Sequence, residues 1–290
     1  MIETPTATMI GGKDRRERIR RTLRHLSRTG EVPTLPQTAT AALAVARDPA
    51  ASADELCGVI RTDMGLAARL LHVVNSAAYA RRTPARTLRD AVVALGLRKT
   101  CDILVAACFR QLSVASGPHA QILWNHALAV AIAAEELARL TRTVEPGAGF
   151  LPGLFHDVGR VAFFLADATS IEVIQGLADA GAGERTVLEH EWYGFDHAEA
   201  GAMLAEEWGL VPEQCDAIRW HHDPSQADAG RTLAPLLSAA DRLAYTIGYG
   251  TGAVQPSAIE TNHLGLSPED EARCTERVHV AFVQENELLT

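Results

Sequence analysis

Apolar residues recur along this chain at spacings of three and four, the period of an α-helix. No stretch alternates apolar and polar residues for long enough to predict a substantial sheet, so an all-α fold is expected. Residues 1–12 are polar, small and Gly-containing, and read as disordered. In residues 13–28, Ile19, Leu23 and Leu26 fall on one helical stripe among Lys13, Arg15, Arg16, Arg18, Arg20, Arg21, Arg24 and Arg28. This is a basic amphipathic helix whose arginine face reads as solvated rather than as a partner surface. The acidic segment 269–287 is a candidate intramolecular counterpart.

From Pro33 onward, helix follows helix. Pro33 and Pro36 open one segment and Asp48-Pro49 closes it. Ser52 with Glu55 three residues on reads as a capping box. Leu66, Leu70, Leu71 and Val74 trace an apolar stripe, and residues 98–112 are apolar on most faces, as a central helix would be. Gly117-Pro118 breaks the pattern and marks the predicted boundary between two lobes. Beyond it, helices are predicted over 120–141, about 150–164, 168–180, 184–192, 195–208, 213–222 and 230–247. The expected layout is a tail and basic helix over 1–30, lobes over 31–117 and 118–250, and an extension over 251–290.

Composition sharpens this. Of 290 residues, 47% are hydrophobic, enough to bury a sizeable core. The net charge of −9 argues against a nucleic-acid backbone as partner, which needs a basic face. Five scattered cysteines (Cys57, Cys101, Cys108, Cys215 and Cys274) form no CxxC pair, so they read as reduced, mostly buried thiols of a cytoplasmic protein. No uncharged run approaches a membrane span, and no membrane association is expected.

The chemistry lies in the second half. His126, His156-Asp157, His197, His221-His222 and Asp241 follow one another within or at the ends of helical segments. One histidine beside apolar residues is commonly a satisfied core residue, but seven such groups in order are a pattern. Imidazole and carboxylate suit divalent transition metals such as Mn, Fe, Ni or Zn. A carboxylate such as Asp157 between two ions would match the arrangement used on phosphoesters. Helical neighbours diverge by about 100°, so His221 and His222 are not expected to serve one ion together.

The order H…HD…H…HH…D resembles the HD superfamily of metal-dependent phosphohydrolases, and GLFHDVGR resembles its HDxGK signature with Arg160 in the Lys position. The first half resembles the HDOD (HD-related output domain) opening. It has a Leu-Pro pair, a helix, Asp-Pro, a further helix, then Asn75, Ser76 and Tyr79 of an N-S-A-x-Y motif, followed by DAVVALGLRKT. The match spans about residues 32–248. It implies a two-lobed all-α bundle, N-terminal HDOD helices plus an HD-like subdomain, in a bacterial signalling module with a vestigial or partly retained metal site. No catalytic residue is assigned with assurance. The partner implied is a signalling protein, or a nucleotide or cyclic dinucleotide ligand; active metal-dependent hydrolysis is the alternative. The GYP motif of cyclic-di-GMP phosphodiesterases is missing, and Asp223–Gly230 holds no Lys or Arg to meet a phosphate, so weak turnover is expected.

Other residues have plainer readings. Asn75 and Ser76 are expected to bond backbone at a helix end. His72 reads as packed or partly exposed, and His190 as solvated or supporting His197. Trp124, Trp192, Trp208 and Trp220 read as core. His25, His119, His263 and His279 show no partner in the sequence.

Overall fold

The computed structural model describes residues 17, 19–24, 34–76, 79, 83–114, 118–145, 147–252 and 264–289. Among these, every regular element is helical. The predicted tail, most of the basic run, His25, His263 and the boundary residue Gly117 lie outside the described residues.

The first lobe holds α1 (Gln37–Arg47), α2 (Ala53–Ile60), α3 (Met64–Val74), α4 (Leu88–Leu95) and α5 (Leu97–Val114). Ser52 and Glu55 form the expected capping box on α2, and Thr87 with Asp90 forms another on α4. The Asn75 side chain bonds both backbone groups of Ala85 (2.9 and 2.7 Å), pinning the loop between α3 and α4. The buried Ser76 hydroxyl has no partner among the described residues, unlike the expectation for it.

The second lobe begins with α6 (Pro118–Thr141), α7 (Phe150–Phe155) and α8 (Val158–Ala166). Then come α9 (Ala168–Asp179), α10 (Arg185–Tyr193), α11 (His197–Glu207), α12 (Pro212–Arg219) and α13 (Leu233–Thr246). A long α14 (Pro268–Leu289) closes the chain.

Two expected helices are interrupted. The helix expected over 150–164 splits at His156-Asp157, because Asp157 turns to φ −101°, ψ 13° and its carbonyl bonds the Arg160 amide three residues on. The helix expected over 213–222 ends at Arg219, with Trp220 at φ −113°, ψ 18°. Both breaks fall on the histidine motifs. The remaining helix ends differ from expectation only by the few residues over which helices fray.

Aromatic rings tie the lobes together. Phe109 of α5 meets Trp124 of α6 (centroids 6.2 Å apart) and Phe155 of α7 (5.3 Å), and Phe155 meets Trp208 beyond α11 (5.1 Å). Pairs of this kind contribute roughly 0.5–1.5 kcal/mol each beyond the area they bury. Trp192 departs from its core reading: it is 52% exposed, because Tyr193 takes the inward position and stacks on Phe163.

The C-terminal helix clamps both lobes. Lys99 of α5 bridges Glu135 of α6 (3.2 Å) and Glu285 of α14 (3.3 Å), and the Trp124 indole donates to Asn286 (3.0 Å). Glu285, one of its acidic groups, thus pairs with Lys99, and most of the N-terminal basic run proposed as their counterpart lies outside the described residues. In the described part of that run Ile19 and Leu23 are buried, and Arg20 donates to Glu207 of α11 (3.0 Å). All five cysteines are free, and only Cys215 is less than buried. No helix among the described residues is long and apolar enough to cross a membrane.

Candidate metal centre

Close backbone packing builds the site. A Cβ at Gly153 would stand 2.7 Å from the Ala131 Cα, so α7 rests directly on α6 and brings His156 against His126. A Cβ at Gly159 would overlap the His197 carbonyl, so the start of α8 touches the start of α11 and brings Asp157 to His197. The break after α7 turns His156 and Asp157 inward together, which a continuous helix would forbid.

The seven predicted side chains converge as two adjoining groups. His126, His156 and Asp241 form one; Asp157, His197, His221 and His222 form the other. Asp157 lies between them, with His126 Nε2 at 3.7 Å from Oδ2, and His156 Nε2 at 3.7 Å and His197 Nε2 at 3.1 Å from Oδ1. His221 and His222 do share a group, contrary to the helical argument, because both lie past the end of α12. His222 is exposed and the other six are buried.

The hydrogen bonds decide which ring atoms face inward. His126 Nδ1 meets the Tyr249 carbonyl (2.8 Å), His156 Nδ1 the Gly153 carbonyl (2.8 Å) and His221 Nδ1 the Ile218 carbonyl (2.7 Å). A carbonyl only accepts, so each Nδ1 carries the proton and each Nε2 turns a lone pair inward. Two of those lone pairs, on His126 and His156, face one another at 3.2 Å. His221 Nε2 is buried with no hydrogen-bond partner among the described residues, and Asp241 Oδ1 faces the His126 Nε2 lone pair at 3.1 Å. Burying acceptors unpaired costs about 1–3 kcal/mol each. The Nε2 lone pairs of His126, His156 and His221 and the Asp241 carboxylate gather as acceptors in one place, a donor set that fits a divalent metal.

Electrostatics follow from the same packing. Burial lowers the His156 pKa to about 4 against the pull of Asp157, so it is a neutral acceptor at neutral pH. His197 differs. Burial opposes its charging, but Glu189 at 2.6 Å from Nδ1 and Asp157 beyond Nε2 together raise it to about 10. Burial would raise the Asp157 pKa, yet His156, Arg160 and His197 hold it well below the usual carboxylate range.

Sequence reasoning passed over Glu189. It is buried on α10 and accepts from both the His197 amide and ring (2.8 and 2.6 Å), whereas neighbouring His190 is exposed. Arg160 points away from the open side: it is buried, donating to Asp157 (2.8 Å) and Thr251 (2.6 Å). The cations that reach the adjoining cleft are instead Arg185 and Arg242. That cleft, about 570 Å³, has His197, His222 and Asp241 on its floor. Outside the site, His119 stacks on Phe164, His279 on Tyr249, and His72 is exposed.

The HDOD domain family model matches residues 32–224, two thirds of the chain. The chain belongs to the HDOD domain family. The HDOD match ends before α13, which carries Asp241. A curated relative, an uncharacterised protein of Treponema pallidum (strain Nichols), is 27% identical over 256 residues, 86% of this chain. This chain spans about half (49%) of that relative's length. Among solved structures, an HDOD domain protein of unknown function from Geobacter sulfurreducens superposes with TM-score 0.75 at 26% identity, covering 95% of this chain and 98% of that one. A Shewanella amazonensis SB2B chain, named provisionally as a phosphohydrolase, gives 0.69 at 24% identity, covering 93% and 98%. A Marinobacter aquaeolei VT8 chain, named provisionally as a signal transduction protein, gives 0.72 at 22%, covering 99% and 68%.

Proposed function

We propose that this HDOD chain is a signalling module whose HD half holds a pair of divalent transition-metal ions and offers them to a phosphate-bearing ligand in the cleft. The observation that carries the reading is the inward shell itself: facing Nε2 lone pairs 3.2 Å apart, Asp241 Oδ1 3.1 Å from one of them, and His221 Nε2 unpartnered. His126, His156 and Asp241 would hold one ion, His197, His221 and His222 the other, and Asp157 would lie between. The metals Mn, Fe, Ni and Zn match an imidazole and carboxylate donor set. Bound metal would supply Lewis acidity toward phosphoryl oxygens and activation of water. The chain's own part is to fix Nε2 presentation through the three carbonyls, to hold His197 through Glu189, and to keep Asp157 ionised beside Arg160.

Hydrolysis is the second reading, favoured by the nearly closed ligand count and the open cleft. Against it, the charge at the signature position is spent on Asp157 rather than turned to the cleft. Elemental analysis of purified protein tests the first reading: about two ions per chain are expected, and loss of both in His156→Ala plus Asp157→Ala. Protein free of metal after incubation with Mn, Fe, Ni and Zn would sink it. Phosphate release from nucleotides and cyclic dinucleotides by the metal-loaded chain, lost in the same double variant, would move the protein to the second reading.

A further inference from the structure

The cleft has two unspent positive charges. Arg185 opens α10 and Arg242 stands on α13, and both line the cleft. Arg185 donates to Gln175 Oε1 (2.7 Å) and Thr251 Oγ1 (3.3 Å), both neutral, and its buried Nε has no partner. Among the described residues neither guanidinium has an ion-pair partner, and Arg242 makes no side-chain hydrogen bond. Two carboxylates, Asp179 and Glu184, line the same wall as Arg185; Asp179 accepts from Gln175 (2.8 Å).

A half-buried cation with neutral partners is costly to maintain unless an anion arrives. Asp157 cannot serve, because Arg160 and Thr251 stand between it and Arg185, and Arg160 already pairs with it at 2.8 Å. On the cleft floor the Asp241 carboxylate lies against the His126 ring, Oδ1 at 3.1 Å from Nε2, within the group that would hold a cation. The cleft therefore has a cation-seeking floor and, on its walls, two anion-seeking arginines. Its volume lies within the roughly 300–1,000 Å³ of small-molecule sites.

We infer that Arg185 and Arg242 form an anion subsite separate from the metal centre, so that the ligand is a small organic bisphosphate with one phosphate on each. This rests on the metal reading above for its first phosphate only. Guanidinium suits the role because its planar fork matches phosphate oxygens.

Calorimetric binding of 5′-AMP and adenosine 3′,5′-bisphosphate to the manganese-loaded full chain tests it. The bisphosphate is expected to bind at least about tenfold tighter, the increment one charge-assisted contact supplies. Arg185→Gln and Arg242→Gln should each cut bisphosphate affinity about tenfold while leaving 5′-AMP affinity and manganese content unchanged. Equal affinity of the wild type for both nucleotides, or parallel loss of both in the variants, would overturn the subsite. Arg242→Gln removes no hydrogen bond, so it carries the test if Arg185→Gln unfolds. Should the chain take up no metal, the metal reading falls alone and the metal-free chain decides the subsite. There, an arginine-dependent preference for the bisphosphate upholds it and its absence overturns it.

Discussion

His197 owes its presentation to a carboxylate eight residues upstream. Glu189 takes both the backbone and ring donors of His197, which fixes the ring and leaves Nε2 toward Asp157. Such supporting carboxylates typically change metal affinity 10–100-fold. Glu189→Gln should therefore weaken manganese binding by that order in a chelator competition, with helical content unchanged; undiminished affinity would remove Glu189 from the site. Gly159→Ala should act through space instead, since its methyl would overlap the His197 carbonyl. A loss of roughly 1–3 kcal/mol in urea unfolding is expected for such overpacking. The histidines and aspartates were legible because their chemistry is written in residue type and order. Glu189 was not, because an acidic residue on a polar helix face looks solvated until the fold buries it. Arg185 and Arg242 are illegible for a related reason: the loop Asp223–Gly230 after His222 holds no Lys or Arg, and the cationic cleft lining comes instead from α10 and α13, both outside it in sequence.

At the scale of elements, local signals predicted starts better than interruptions. The Ser52 and Glu55 capping box was readable because both its bonds are made within four residues. Ser52→Ala should cost about 1 kcal/mol in urea unfolding and leave metal content untouched; a change in metal content would mean that α2 reaches the centre. The breaks at His156-Asp157 and after Arg219 carried no such signal. Apolar periodicity runs through the first break, from Phe155 to Val158, and the nearest proline past the second is Pro224, so a continuing helix is the cheaper local guess. Tertiary demand overrides it. Only by leaving the helix can adjacent residues point into one site, and both breaks bring adjacent metal-type residues together.

Across the whole molecule, the C-terminal helix links a distant segment to one of the candidate ligand rings. Phe282 of α14 packs on Tyr249 at 3.8 Å between centroids, and the Tyr249 carbonyl holds His126 Nδ1 at 2.8 Å. Tyr249 follows α13, so its backbone position depends on what α14 presses against it. Removing the Phe282 ring should destabilise the fold by roughly 3–5 kcal/mol, as for other buried aromatics. It should also release the Tyr249 carbonyl and let the His126 ring turn, weakening the group of His126, His156 and Asp241. The group around His197 has its own support from Glu189 and the Ile218 carbonyl, and should keep its ion. Elemental analysis of Phe282→Ala should then fall from about two ions per chain toward one. Leu289→Ala supplies the control. Leu289 is buried on the same helix but lines a small cavity with Val73 and Ile103, away from Tyr249. It should cost a comparable roughly 2–5 kcal/mol with both ions retained. If both variants lose metal in proportion to their stability, the link through Tyr249 is only the general cost of loosening the fold. Selective loss in Phe282→Ala would make α14, through Tyr249, a support of the group of His126, His156 and Asp241 in particular.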